Sequence, residues 1–429
     1  MTTLPKNFPL RQALNDEVHA RPPDPLKPPM RISYLALLTK WPPGNRDIRP
    51  VADLARRFGA EPPKAGVRHF NADFGPFRLT WERHTEFARY KFMVPGGREQ
   101  PFAKTAMESV PQDWLAKLKG KTIVAAHAAL ATKRRESLDN EQIAARFFAG
   151  NTLVGARVAG GAGTAFTDFR IHGDGFSRFL VYDRSMTERQ AGRYVQRLLE
   201  IDTYRILALL ALPEAQRLGP KLAGFESDLA EITNAMAGGD GQYETTLLDR
   251  LTGLAAAIEN SRSNTLYRFR ATAAYDALVR RRIDELRETR IEGLQTFREF
   301  TERRFAPAIN TCEAVATTQN VLSDRVANAT QLLSTRVDVI RERQNRALLE
   351  SMNRRARLQL RLQQTVEGLS IAAVTYYVVS LVSYAAKAAA NSGVAINPDL
   401  VTGLSIPVVG VLVALGVRRV RKQVARRSR

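Results

Sequence analysis

The chain has 429 residues, 44% hydrophobic and 25% charged, enough for two or three domains, which excludes a peptide, a fibrous repeat or a wholly disordered protein. A single cysteine, Cys312, excludes a disulfide framework and, with only five scattered histidines, a cysteine-rich zinc site. Sixty-four basic against 43 acidic residues leave a formal charge of +21, so an anionic partner, nucleic acid or phospholipid, has to be considered first.

Residues 1–29 read as a short helix followed by a proline-rich arm. The opening MTTLPKNFPLRQ lacks the apolar region of a signal peptide, so the residues before the hydrophobic C-terminal segments are expected to stay in the cytoplasm. Asp16, Glu17, His19 and Arg21 form a polar cluster on the helix, whose apolar side is Leu10, Leu14 and Val18. That side is expected to dock on the domain or on a neighbouring subunit, and the cluster is one candidate metal or ligand site.

Residues 30–185 mix short β runs with amphipathic helices, as an α+β or α/β cytoplasmic domain does. Arg31 to Leu38 and Lys121 to Ala131 are strand candidates, and Val51 to Phe58 is a helix. Phe77, Leu79, Trp81 and Phe87 alternate with polar residues and are expected to face inward together. Glu82, His84 and Glu86 then share the opposite face of the same strand. Two carboxylates and an imidazole there could hold a divalent cation or work as acid and base, and a solvated strand face explains the same pattern. Thr164 to His172 and Phe176 to Tyr182 read as a hairpin turning at Gly173-Asp174-Gly175. The glycine-rich Gly155 to Gly163 has no following Lys-Ser or Lys-Thr, fails the phosphate-loop pattern and reads as a loop or bulge. Hydrolase, zincin and dithiol motifs are absent, so hydrolase and redox readings lack support.

Residues 186–366 read as a helical bundle and stalk without strands. An apolar helix is expected to end at Pro213, a glycine loop to separate two helices at Gly238 to Gly241, and a polar helix to run from Asn264 to Phe305 and break at Pro307. Ten arginines interleaved with seven acids between Thr265 and Phe305 fit a solvated, ion-paired helix better than a nucleic-acid stripe. From Ala308 to Ala386 one helix about 118 Å long is expected. Val326, Leu333 and Ile340, with Val337 between, recur at heptad spacing. A self-associating stalk or packing on the chain's own helices would produce that pattern equally.

Residues 367–417 read as a transmembrane hairpin. Leu369 to Ala386 and Leu400 to Val417 carry no charge, and eighteen residues span about 27 Å as a helix, close to the hydrocarbon thickness of a bilayer. The connection contains Asn391, Gly393 and Asn397-Pro398, which is turn chemistry. Seven arginines against Glu342 and Glu350 precede the first span between Arg341 and Arg361, and the tail 418–429 has seven cations and no acid. The positive-inside rule then places both termini in the cytoplasm of a bacterial inner membrane, with Arg354, Arg355, Arg357, Arg418, Arg419, Arg421 and Lys422 on lipid headgroups. With so much of the excess charge beside the membrane, nucleic acid is not the expected partner.

Three stretches carry a family resemblance: Leu14 to Pro23 (LNDEVHARPP), Phe77 to Phe87 (FRLTWERHTEF) and Gln364 to Ser370 (QTVEGLS). Together they resemble a bacterial domain-of-unknown-function family described as membrane-anchored, over essentially the whole chain. The order of cytoplasmic domain, stalk, two spans and basic tail also looks like CorA-type magnesium channels. That likeness implies a homo-oligomeric pore, but the Gly-Met-Asn signature of that family is missing: the loop offers Asn391-Ser392-Gly393, and Met352-Asn353 lies before the first span. Thr375, Ser383, Asn391, Thr402 and Ser405 would line such a pore, and Gly410-xxx-Ala414 would pack closely. Two functions lead, an oligomeric channel or transporter component with a sensing domain and an anchored scaffold or regulator that recruits a cytoplasmic protein partner; a catalytic role for the cytoplasmic domain, resting only on the Glu82, His84 and Glu86 face, is a third.

Overall fold

The computed structural model describes residues 6–19, 23–39, 48–97, 100–132, 138–238, 243–393 and 395–427. Nine strands form one mixed sheet: β1 (Met30–Leu38), β2 (His69–Asp73), β3 (Arg78–Arg83), β4 (Phe87–Pro95), β5 (Lys121–Thr132), β6 (Val154–Val158), β7 (Gly163–Thr167), β8 (Ser177–Asp183) and β9 (Thr289–Arg290). The spatial order is β2-β3-β4-β1-β5-β8-β7-β6-β9. Every neighbouring pair is antiparallel except β5 and β8, whose connection crosses through β6 and β7. The helices are α1 (Arg11–His19), α2 (Arg49–Arg57), α3 (Gln112–Leu115), α4 (Asn140–Phe147), α5 (Glu188–Leu209), α6 (Leu212–Ala237), α7 (Glu244–Leu286), α8 (Phe297–Phe300), α9 (Ala306–Asn391) and α10 (Pro398–Arg427). The chain is thus a mixed-sheet domain followed by long helices, two of them long and apolar enough to cross a membrane.

Two units can be distinguished, Met1–Gly239 with Thr246–Thr330, and Asp240–Thr245 with Gln331–Arg429. In the first, alternation along the strands sends Ile32, Tyr34, Phe179 and Val181 to one face of the sheet, where Leu198, Leu199 and Ile201 of α5 and Val279 and Ile283 of α7 complete a core. The other face is covered at one end by α2 and α3 through Leu54, Trp81, Phe92 and Trp114, and at the other by α4 through Ile143 and Phe147. Thr187 caps α5, accepting from the Gln190 amide at 3.3 Å while the Gln190 side chain accepts from the Thr187 amide at 2.9 Å, which sets where that helix begins.

Four local expectations change. β3 ends at Arg83, and residues 84–86 form the turn into β4 rather than more strand. Trp81 lies opposite Tyr90, so the turn shifts the alternation: Ala88, Tyr90 and Phe92 join Leu79 and Trp81, whereas Phe87 belongs to the opposite core. Strands do not cease after Thr187, because Thr289–Arg290 adds an edge strand on β6. The polar helix stops at Leu286, and Pro307 breaks nothing: α8 passes through a π turn (Thr301–Phe305) into α9. The widened turn removes the clash a proline ring makes with the carbonyl one turn earlier. The Gly173 turn connects β7 and β8 as expected, with shorter strands and a loop that includes Asp168 and His172. Gly155 lies within β6, and Ala159–Gly161 makes a tight 3-10 turn to β7. The glycine loop before α7 lies largely outside the described residues.

Val326 is buried in the first unit, and in the second Leu333 and Val337 are buried and Ile340 half-buried. In the second unit Arg336 pairs with Glu244 at 2.5 Å. From Arg341 to Ser370 the side chains of α9 are almost all exposed, including Leu348, Leu358, Leu360 and Leu362.

Candidate functional site: a buried ion-pair network

β4 reads FARYKFMVP and is buried on both faces up to its last residue, so Arg89 and Lys91 are carried into the interior. An unpaired charge there would cost several kcal/mol, and each finds a partner. Glu82 lies directly across from Arg89 in the β3–β4 ladder, with Oε2 2.6 Å from Nη2. The other guanidinium nitrogen, Nη1, donates to Glu200 Oε1 of α5 at 2.9 Å. Glu200 Oε2 accepts from Arg282 Nε of α7 at 2.5 Å, and Arg282 Nη1 reaches Glu285 Oε2 at 2.9 Å. Charges therefore alternate from the sheet through α5 to α7. Burial pushes Glu82 up, but Arg89 outweighs it and leaves the carboxyl below its usual range. The same contest at Glu200, with Arg89 and Arg282 both facing it, ends at about 2. Arg89 is correspondingly held well above its ordinary value, its desolvation outweighed by Glu82 and Glu200.

Lys91 is neutralised from the N-terminal arm. Asp24 lies 2.5 Å from Lys91 Nζ and accepts from Thr80 Oγ1 at 2.9 Å and Asn71 Nδ2 at 2.5 Å. Burial raises the Asp24 carboxyl, but Lys91 more than reverses that and leaves it lowered. The arm can approach because Gly192 of α5 has no side chain: a Cβ there would lie 1.7 Å from the Asp24 carbonyl oxygen.

The Glu82, His84 and Glu86 trio therefore does not form a solvated face. Glu82 is 4% and Glu86 7% exposed. His84 stacks on Phe87 with ring centroids 4.4 Å apart, its Nε2 3.7 Å from the Glu82 carboxylate. Glu86 is turned toward α7, accepting from Arg268 Nη2 at 2.7 Å and the Tyr275 hydroxyl at 2.8 Å. Burial and the adjacent Glu86 carboxylate raise the Tyr275 phenol far above its usual range. A divalent cation would have to displace arginines, and among the described residues no group of three or more metal-ligating side chains is present.

Asp16 is exposed on α1 and accepts from Gln12 at 2.8 Å. Glu17 and His19 are helical in backbone, but their side chains, like Arg21 as a whole, lie outside the described residues. Leu10 and Leu14 are exposed in the single chain, so of the two expected placements these residues do not take the one on the chain's own domain, while the Val18 side chain lies outside the described residues. In the hairpin, Thr375, Ser383, Thr402 and Ser405 are half-buried and Asn391 is exposed. The hydroxyls of Thr375, Thr402 and Ser405 donate to carbonyls of their own helices, Ile371, Pro398 and Thr402. A Cβ at Gly410 would meet Thr375 Cγ2 at 3.9 Å, so α9 and α10 approach closely there. Arg354, Arg355, Arg357, Arg418 and Arg419 are exposed, while the side chains of Arg421 and Lys422 lie outside the described residues.

A second buried polar pair escaped the sequence reading. Ser33 Oγ lies 2.9 Å from His127 Nδ1 and accepts from the Met107 amide at 3.0 Å, with His127 stacked on Phe176. Burial depresses the imidazole to about 4, so it is neutral at pH 7. Ser33 is fully buried, which denies a substrate access to it.

Residues 6–424 match a family model described as a protein of unknown function, DUF3422. The chain belongs to that family. No curated protein and no solved structure matches it.

Proposed function

We propose that this DUF3422 protein is a membrane-anchored regulator or scaffold of the bacterial inner membrane, with both termini in the cytoplasm and the mixed-sheet domain acting as the module that recruits a protein partner. One observation carries the reading: the uncharged stretches of α9 and α10 turn Leu369, Leu381, Leu404, Leu412 and their neighbours outward, whereas Thr375, Thr402, Ser405, Gly410 and Ala414 are half-buried and the three hydroxyls among them are spent on backbone carbonyls. A side-chain arrangement apolar outside and closed inside suits a hairpin that packs on itself in lipid. The exposed arginines before the first span and after the second would then lie against anionic headgroups.

A homo-oligomeric channel or transporter component is the second reading, supported by the exposed apolar residues of α9 before the first span, Leu348, Leu358 and Leu362 among them, which a second copy would cover. Native mass spectrometry of the protein in lipid nanodiscs separates the two. A monomer or dimer fits the anchor, and a ring of four or more chains would replace it with the channel. For orientation, Ser392→Cys in the loop should react with an impermeant maleimide from the periplasmic side in a Cys312→Ala background. Reaction only from the cytoplasmic side would overturn the topology.

A further inference from the structure

At the surface end of the buried network, α5 and the last turn of α7 border an open, solvent-facing cavity of about 610 Å³. Four arginines line it, Arg193 and Arg197 from α5 and Arg281 and Arg287 from the end of α7 and the residue after it, together with Gln190, Tyr194 and the acids Asp284 and Glu285. The acids do not balance the arginines. Asp284 is engaged outside the cavity by Arg298. Glu285 is shared three ways, with Arg197 Nε at 3.1 Å, Arg281 Nε at 3.1 Å and Arg282 Nη1 at 2.9 Å. Among the described residues Arg193 has no carboxylate partner, and Arg287 donates only to the Tyr194 hydroxyl, at 3.2 Å from Nη2. Tyr194 is itself buried, with the Arg197 guanidinium over its ring at 5.1 Å, so the floor of the cavity is fixed while the cations around it are under-neutralised.

We propose that this cavity binds a phosphate-bearing anion, gripped by Arg193, Arg281 and Arg287 with Arg197 behind them. Guanidinium groups present paired N–H donors that match the oxygens of a phosphate, and a cluster of them supplies the charge that a single helix terminus does not. The volume exceeds what an inorganic ion needs and falls in the range of small-molecule sites, so the natural ligand is a phosphorylated molecule, soluble or a lipid headgroup. The site belongs to the first unit and stands whether or not the anchor reading does.

The test uses the full chain in a neutral maltoside detergent, titrated calorimetrically with pyrophosphate and, separately, with dihexanoyl phosphatidylglycerol, against chloride at matched ionic strength. Saturable binding of either supports the site, with pyrophosphate pointing to a soluble ligand and the short-chain lipid to a headgroup. Arg193→Gln with Arg281→Gln, both solvent-facing, should weaken binding by about tenfold or more, since two charge-assisted contacts are lost. Arg193→Gln alone, which breaks no ion pair, should weaken it several-fold, and Arg303→Gln, an exposed arginine elsewhere, should leave it unchanged. No saturable binding of either probe, equal binding in the double variant, or an equal loss in the Arg303 variant overturns the proposal.

Discussion

Replacing Glu200 by glutamine tests whether the network supports the fold. The carboxyl falls from an ordinary 4.5 to about 2 in the folded chain, so its ionised form is favoured by burial partners rather than by water. A difference of that size corresponds to about 3 kcal/mol of stability, each pKa unit being worth about 1.4 kcal/mol. Because the folded value is depressed, this contribution is present in full above the unfolded value near 4.5 and is lost as pH falls through 2. Glu200→Gln should therefore cost about 3 kcal/mol at pH 7, within reach of the roughly 3–5 kcal/mol typical of a broken buried pair. At pH 3 the difference should shrink to about 1 kcal/mol, since the unfolded wild type is protonated there and the folded one largely is not. Urea unfolding of the full chain in neutral detergent, followed by the fluorescence of the buried Trp81 and Trp114, reads both values. With a urea slope of about 2–3 kcal/mol per molar the pH 7 midpoint should drop by about 1 M. An unchanged midpoint at pH 7, or the same decrement at pH 3 as at pH 7, refutes the reasoning.

His127 titrates with the same sense of shift. With its folded value near 4 against 6.5 unfolded, the unfolded chain takes up a proton that the folded chain refuses, so stability should fall by about 3 kcal/mol between pH 6.5 and 4 and level off below. His127→Phe should remove that slope from a urea midpoint against pH curve, and a slope that survives the substitution argues against the assignment. Gly192→Ala drives a methyl into the Asp24 carbonyl and should release the arm, so limited proteolysis should cut between Pro23 and Pro29 far faster than in wild type. Unaltered cleavage would mean that the arm is not held there. In the hairpin, Thr375→Cys with Gly410→Cys in a Cys312→Ala background should crosslink within one chain on mild oxidation, and failure to do so in nanodiscs would break the close approach at Gly410.

Periodicity made much of this architecture readable in advance. Short apolar runs identified β1 and β5 almost to the residue, and uncharged stretches of eighteen residues identified the apolar parts of α9 and α10. The errors arose where a local rule met a tertiary one. Pro307 is a helix breaker only if the preceding turn keeps α geometry, and the π turn relieves it. Residues 84–86 look like a continuing strand because His84 and Glu86 keep the period-2 spacing, yet they form a turn that displaces Phe87 to the other face.

The network was hidden for a different reason. A strand face with Glu82, His84 and Glu86 reads as solvated only if nothing covers it, and what covers it comes from α5, α7 and the arm, 100 or more residues away in the case of Glu200 and Arg268. The overlooked signal lay in β4, where Arg89 and Lys91 occupy alternate positions of a strand otherwise composed of Phe, Tyr, Met and Val. Such a strand cannot expose its basic face without also exposing Phe87 and Met93, so the two cations must go inside and must each be met by a carboxylate. Sequence spacing can demand those partners. Only strand pairing, the docking of α5 and the path of the N-terminal arm decide that they are Glu82, Glu200 and Asp24.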